Sequence, residues 1–140
     1  MERQKSLLTN TLRKNMVFKL RTSKDTMRIF EELGASIHLQ PFALCKIALA
    51  LSLKDKELED ESFKSDNEGL ELNRQTITGE YDDLIKALVI SHLGVMLSDE
   101  EYFPKYLKAH IDRGARILYT EFRYSNGNFY KHLLDVDKGI

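Results

Sequence analysis

The acids in and beside the stretch Gly69 to Tyr81, namely Glu71, Glu80, Asp82 and Asp83, are crowded enough to suggest chemistry. Clustered carboxylates hold magnesium, and magnesium so held can cut a phosphodiester. A metal-dependent nuclease using Glu71, Glu80 and Asp82 is therefore one reading. A simpler account exists for three of them. Glu80, Asp82 and Asp83 fall in the first turns of a helix, where the positive end of the helix dipole favours carboxylates. The lone cysteine, Cys45, has Lys46 beside it in sequence but on another helical direction, so it reads as a small buried hydrophobe and not a nucleophile. The histidines His38, His92, His110 and His132 contain no pair at ligand spacing and no His-Glu-x-x-His pattern, although His92 and His110 lie on helices expected to pack together. Gly-x-x-x-x-Gly-Lys, Gly-x-Gly-x-x-Gly and the nucleophile-elbow pattern are all missing. Enzyme activity, a cofactor and a metal centre are not expected.

The basic residues make a stronger set. Arg13, Lys14, Lys19, Arg21, Lys24 and Arg28 lie close along the chain and are opposed within that span only by Asp25. Lys19 and Arg21 share one face of an alternating segment, and Lys24 and Arg28 are spaced for one helical face. Such an array neutralises phosphates, the sequence-independent part of DNA affinity. The charge of the whole chain hides this. Residues 1–46 carry nine Lys/Arg and four Asp/Glu, residues 55–101 carry four and fourteen, and residues 102–140 carry seven and four; with Lys54 the net charge is -1. A polarised surface of this kind meets a polyanion on one side and a basic partner on the other.

The elements that must position these residues are mostly helices. Residues 1–15 read as a basic arm. Val17 to Thr22 alternates as a short half-buried strand does. Ser23 is suited to cap the helix that follows, with Gly34 placed to end it. Pro41 suits a first helical position and opens the almost wholly apolar run to Leu53, a helix buried on most sides or shared with another subunit. Residues 54–68 read as a mobile acidic loop. Thr78 is placed to cap the next helix, whose stripe is Tyr81, Leu84, Ile85, Leu88, Val89 and His92. Ser98 and Glu101 fit a capping box. Pro104 opens or kinks a last helix bearing Leu107, Ile111, Gly114, Ile117 and Leu118. There Gly114 is justified by a close backbone approach to a neighbour. Ser125 to Asn128 is a turn, and residues 119–140 form a C-terminal extension with apolar surface to dock. The expected fold is mainly α, a compact four-helix single domain with at most one short N-terminal strand.

A chain of 140 residues suits one domain. No apolar run approaches the roughly 20 residues of a membrane span, and the N-terminus lacks the apolar block of a secretory signal. With one cysteine there is no internal disulfide. A reducing, cytoplasmic location is the expectation.

A strand followed by two helices, with basic residues on the strand, coarsely resembles a ribbon-helix-helix unit, which would make a dimeric transcriptional regulator. Three patches carry a more specific likeness. They are Leu44-Cys45-Lys46-Ile47-Ala48-Leu49 with Ser52-Leu53; Glu71-Leu72-Asn73-Arg74 with Thr76-Ile77-Thr78-Gly79-Glu80-Tyr81; and His110-Ile111-Asp112-Arg113-Gly114. Their content, order and spacing resemble the DndE family, small subunits of the bacterial DNA phosphorothioation system, over residues 16–118. Lys46 stands where the family usually shows arginine, and Leu72 where an aromatic is common. The resemblance implies a helical protein that forms a tetramer. It implies binding to double-stranded DNA, preferably nicked, through surface lysines, and assembly with the other subunits of the modification complex, which carry the sulfur chemistry. On the reading of the residues, the DNA contacts are Lys14, Lys19, Arg21, Lys24, Arg28 and Lys46, with Arg74 ranked below them because it lies near Glu71 and Glu80. A purely protein-binding adaptor is the remaining alternative.

Overall fold

The computed structural model describes residues 18–125 and 128–135. The first element among the described residues is a short strand, β1 (Lys19–Arg21), which turns at Thr22 into α1 (Lys24–Ile37). The Ser23 hydroxyl accepts from the Thr26 amide at 3.1 Å, as its cap role requires. Gly34 does not end this helix. It continues to Ile37, and His38 takes the left-handed conformation (φ 59°) with its amide on the Gly34 carbonyl at 3.0 Å. α2 (Pro41–Lys54) has Pro41 at its start and buries Leu44, Cys45, Ala48, Leu49 and Ser52.

Residues 55–70 hold a single 3-10 turn, Asp60–Phe63. The acidic loop is pinned rather than loose. Its Asp66 carboxylate accepts from the Lys24 amide at 2.9 Å, Ser65 donates to Asp112 at 2.7 Å, and the Asp55 carbonyl meets His92 Nε2 at 2.8 Å. The expectation of a mobile segment failed because these partners lie tens of residues away in sequence.

Glu71–Asn73 forms β2, which pairs antiparallel with β1 in the register Lys19–Asn73, Leu20–Leu72 and Arg21–Glu71. Leu20 and Leu72 face the core, and the other four side chains face out. The polar stretch read as a surface connection thus contributes a second strand, and the fold remains mainly α. Asn73 then caps the one-turn helix α3 (Arg74–Ile77). After a 3-10 turn at Gly79–Tyr81 comes α4 (Asp82–Leu93), closed by Gly94 at φ 83°. Thr78 does not cap α4 from its first turn. Its hydroxyl bridges the Arg74 carbonyl and the Asp82 carboxylate.

Ser98 and Glu101 form the reciprocal capping box, at 3.1 and 3.2 Å. Residues Glu101–Tyr106 make a wide turn, with a cis Phe103–Pro104 bond, that leads into α5 (Leu107–Tyr124). A short helix, α6 (Phe129–Asp135), folds back on α5. The core centres on the packing of α2 against α5, with α1 alongside. At their crossing Gly114 is buried so tightly that any Cβ there would collide with the Ala48 backbone. The close approach expected of Gly114 is therefore present. No single helix among the described residues is long and apolar enough to cross a membrane.

Candidate nucleic-acid interface

Pairing of β1 with β2 decides what the outer face of the ribbon presents. Alternation aims Lys19 and Arg21 outward, both exposed, and the same pairing brings Glu71 and Asn73 onto that face. Lys19 Nζ lies 3.9 Å from Glu71. The chain then turns into α1, whose first residue is Lys24 and whose second turn carries Arg28, both exposed. Arg28 bonds Asp25 at 2.9 Å and reaches Glu32 at 3.5 Å, with its guanidinium over the Tyr119 ring. Its hydrogen bonds to Asp25 and Tyr119 raise its already high pKa. Lys19, Arg21, Lys24 and Arg28 thus give an exposed cationic edge that follows the chain from β1 into α1. Asp25, Glu32, Asp66 and Glu71 are threaded through it, more acid than the sequence span suggested. Glu71 arrives by strand pairing, Asp66 by docking of the loop, and Glu32 by its place one turn beyond Arg28.

Helix N-termini attract phosphates through free amides. Here that role is already filled from within. The Ser23 amide donates to Asp112 at 3.0 Å, the Lys24 amide to Asp66 at 2.9 Å, and the Thr26 amide to Ser23. The Lys24 amide, and after it the Glu68 amide, holds the Asp66 carboxyl below the usual range. A polyanion would therefore meet side-chain cations at this edge and not the helix end itself.

The other predicted contacts are placed differently. Lys46 is exposed on α2, over the Phe42 ring at 5.6 Å, and shares no ion pair or hydrogen bond with the ribbon residues. Lys14 lies outside the described residues. Arg74 does not belong to this surface: its side chain is 8 % exposed. Its guanidinium bonds Asp82 at 2.7 and 3.1 Å and Asp99 at 2.7 and 2.9 Å, and it lies 4.9 Å from the Phe103 ring centre. Arg74 holds Asp99 well below the usual carboxylate range. Burial alone would raise the Asp82 carboxyl, but bonds from Arg74 and Thr78 outweigh it and lower it. This ion-paired core needs the low-exposure guanidinium for its own charge balance.

The acids considered for a metal site are scattered in role. Glu71 faces Lys19, Asp82 serves Arg74, and Glu80 is exposed. Among the described residues no group of three or more His, Cys, Asp or Glu could hold a metal ion. Cys45 is buried and its thiol is pushed up to about 12 by that burial, then by Asp112, which leaves it un-ionised. His92 and His110 do meet, edge to face at 5.0 Å between ring centres. His110 is buried, with Nδ1 at 2.8 Å from the Ser52 hydroxyl, and burial with His92 and Arg113 nearby pulls its pKa down to about 3.

Asp112 was not singled out beforehand, yet it organises the region. It is 1 % exposed and accepts from the Ser23 amide, Thr26, Ser65 and Lys108. One carboxylate thus ties the ribbon exit, α1, the acidic loop and α5 together. Next to it Arg113 bonds the Ser52 carbonyl at 2.6 Å and the Glu57 carbonyl at 3.2 Å, closing the end of α2. The hints in sequence were its place in the patch His110 to Gly114 and an acid set among the apolar residues of a core helix. The strand pairs within its own chain, with residues 71–73, where a ribbon-helix-helix strand pairs with that of a second subunit.

A family model described as DNA sulphur modification protein DndE matches residues 19–126. Among solved structures, the chain is similar to DndE from Escherichia coli B7A, a protein involved in DNA phosphorothioation modification. The TM-score is 0.60 with 18 % identity, over 74 % of this chain and 97 % of that one. A mutant DndE, also involved in DNA phosphorothioation, gives a TM-score of 0.58 with 17 % identity over 73 % and 97 %. At these identities the likeness is one of fold. No curated protein matches.

Proposed function

This chain belongs to the DndE family of DNA sulphur modification proteins, and from that premise we propose that it is the DNA-binding, non-catalytic subunit of a phosphorothioation complex. The sulfur chemistry resides in its partner subunits, and the complex works in the cytoplasm on double-stranded DNA, with nicked duplex preferred. The observation that carries the reading is the exposed edge of Lys19, Arg21, Lys24 and Arg28. In this reading Lys46, exposed on α2, is a further phosphate contact, as is Lys14, which lies outside the described residues. Because carboxylates interleave with these cations, one copy attracts a polyanion weakly. Affinity then comes from presenting the edge several times along one duplex.

A surface that joins copies is available. On α4, Leu84 and Leu88 are 57 % and 47 % exposed, with Tyr81, Val95 and Met96 exposed nearby. The opposite side of the same helix buries Val89 in the core. An apolar face on each side of one helix fits a partner on the second. The partner in this reading is another copy, and the assembly is a tetramer.

A gel-shift series with nicked and intact duplex tests the reading. Charge reversal at Lys19 and Lys24 together should weaken both complexes. Unchanged affinity would move the contacts elsewhere.

A further inference from the structure

We propose that a small notch between the acidic loop and the start of α5 binds one tetrahedral oxyanion of the phosphate or sulfate type. The notch has a volume of about 120 Å³ and is lined by Ser62, Phe63, Ser65, Asn67, Lys105 and Lys108. That is roughly four water volumes, enough for an end group and too little for a base or sugar. It lies against the most acidic part of the chain, yet no carboxylate lines it. Its polar lining is two ammonium groups, two hydroxyls and one amide, a donor set suited to an anion.

The two lysines are held differently. Lys108 donates to Asp112 at 2.8 Å and to Ser65 at 2.5 Å, while Ser65 donates onward to Asp112 at 2.7 Å. Its ammonium is therefore fixed in place with one of three protons left over. Lys105 sits on the rings of Phe63 and Tyr106, 5.4 and 5.7 Å from their centres, and those rings pack edge to face at 5.0 Å. This shelf places its charge without consuming its hydrogen bonds. Glu101, an acid one turn earlier, is engaged by the Ser98 amide. The anion would receive bonds from Lys105, Lys108, Ser62 and Asn67. The source of the group is either a phosphate of a nucleic acid or a free oxyanion, since the chemistry recognised is the same. The site does not depend on the ribbon edge.

Inorganic phosphate titrated into the full chain at constant ionic strength, followed by amide chemical shifts, tests this. Saturable shifts confined to Ser62–Asn67 and the start of α5 are expected. Lys105→Gln and Ser62→Ala should each weaken binding roughly fivefold, a loss suited to one charge-assisted or one neutral hydrogen bond at a half-open site. Both are half-buried or exposed positions outside the Asp112 network, so the fold is retained, and Lys131→Gln should change nothing. Displacement of phosphate by a nicked duplex with a 5′-phosphate assigns the site to nucleic acid, and failure of that duplex to displace it assigns a free oxyanion. Shifts that grow linearly and are matched by chloride, or an affinity unaltered in Lys105→Gln, would overturn the proposal.

Discussion

Replacing Arg74 with methionine separates a structural role from a DNA contact. The substitution keeps most of the side-chain length and removes a guanidinium that makes four bonds to Asp82 and Asp99. Both carboxylates would then face each other with Lys86, 3.8 Å from Asp99, as the remaining cation. Stripping one partner from a buried ion pair costs about 3–5 kcal/mol. Here the carboxylate side chains are 22 % and 34 % exposed, so water recovers part of that, and about 2–3 kcal/mol is the expected loss. For a chain of this size that corresponds to a fall in melting temperature of about 10 °C. Thermal and urea melts by circular dichroism measure it. Adding Asp82→Asn and Asp99→Asn should restore part of the loss, because the stranded charges are gone. At a temperature where the variant is folded, its affinity for duplex should match that of the parent. A loss below about 1 kcal/mol, or normal stability with impaired DNA binding, would refute the argument.

Gly114→Ala should destabilise by about 3 kcal/mol or more in the same melts, since the new methyl meets the Ala48 backbone and not a movable side chain; the gain in helix propensity, about 1 kcal/mol, is too small to offset it. Stability should fall on acidification from about pH 6.5 towards about 3. In this window the unfolded His110 takes up a proton that the folded one refuses, at up to about 1.4 kcal/mol per pH unit, and His110→Gln should flatten that slope. Asp82 and Asp99, whose carboxyls are held low, add their own loss only below about pH 4, as pH falls through their folded values. Leu84→Glu with Leu88→Glu should lower the mass seen by light scattering without lowering the melting temperature of the protomer, and an unchanged mass would remove α4 as the joining face.

Much of the helical frame was legible in local chemistry. Ser23, Pro41 and the Ser98–Glu101 box announce helix starts because a cap bonds within its own turn. Gly114 announced a close crossing because little else justifies glycine in mid-helix. What escaped depends on partners far along the chain. Glu71-Leu72-Asn73 carries one inward leucine, too little alternation to declare a strand until β1 is beside it. The acidic loop is tied to the rest of the fold by Asp112, the Lys24 amide and His92, all far along the chain from it. Arg74 ranks low as a DNA contact in sequence on account of Glu71 and Glu80, but its acids are Asp82 and Asp99, the latter twenty-five residues on. The basic edge was visible as a run of cations, but the acids that temper it came only with folding.

The most direct test of DNA recognition through a repeated cationic edge is the salt dependence of nicked-duplex affinity for the full assembly. Affinity should fall linearly on a log-log plot, with a slope of about 0.9 per phosphate neutralised, and Lys19→Gln should reduce the slope by about 1 for each copy that touches the duplex. An affinity insensitive to salt, or a slope that Lys19→Gln and Lys24→Gln leave unaltered, would contradict it.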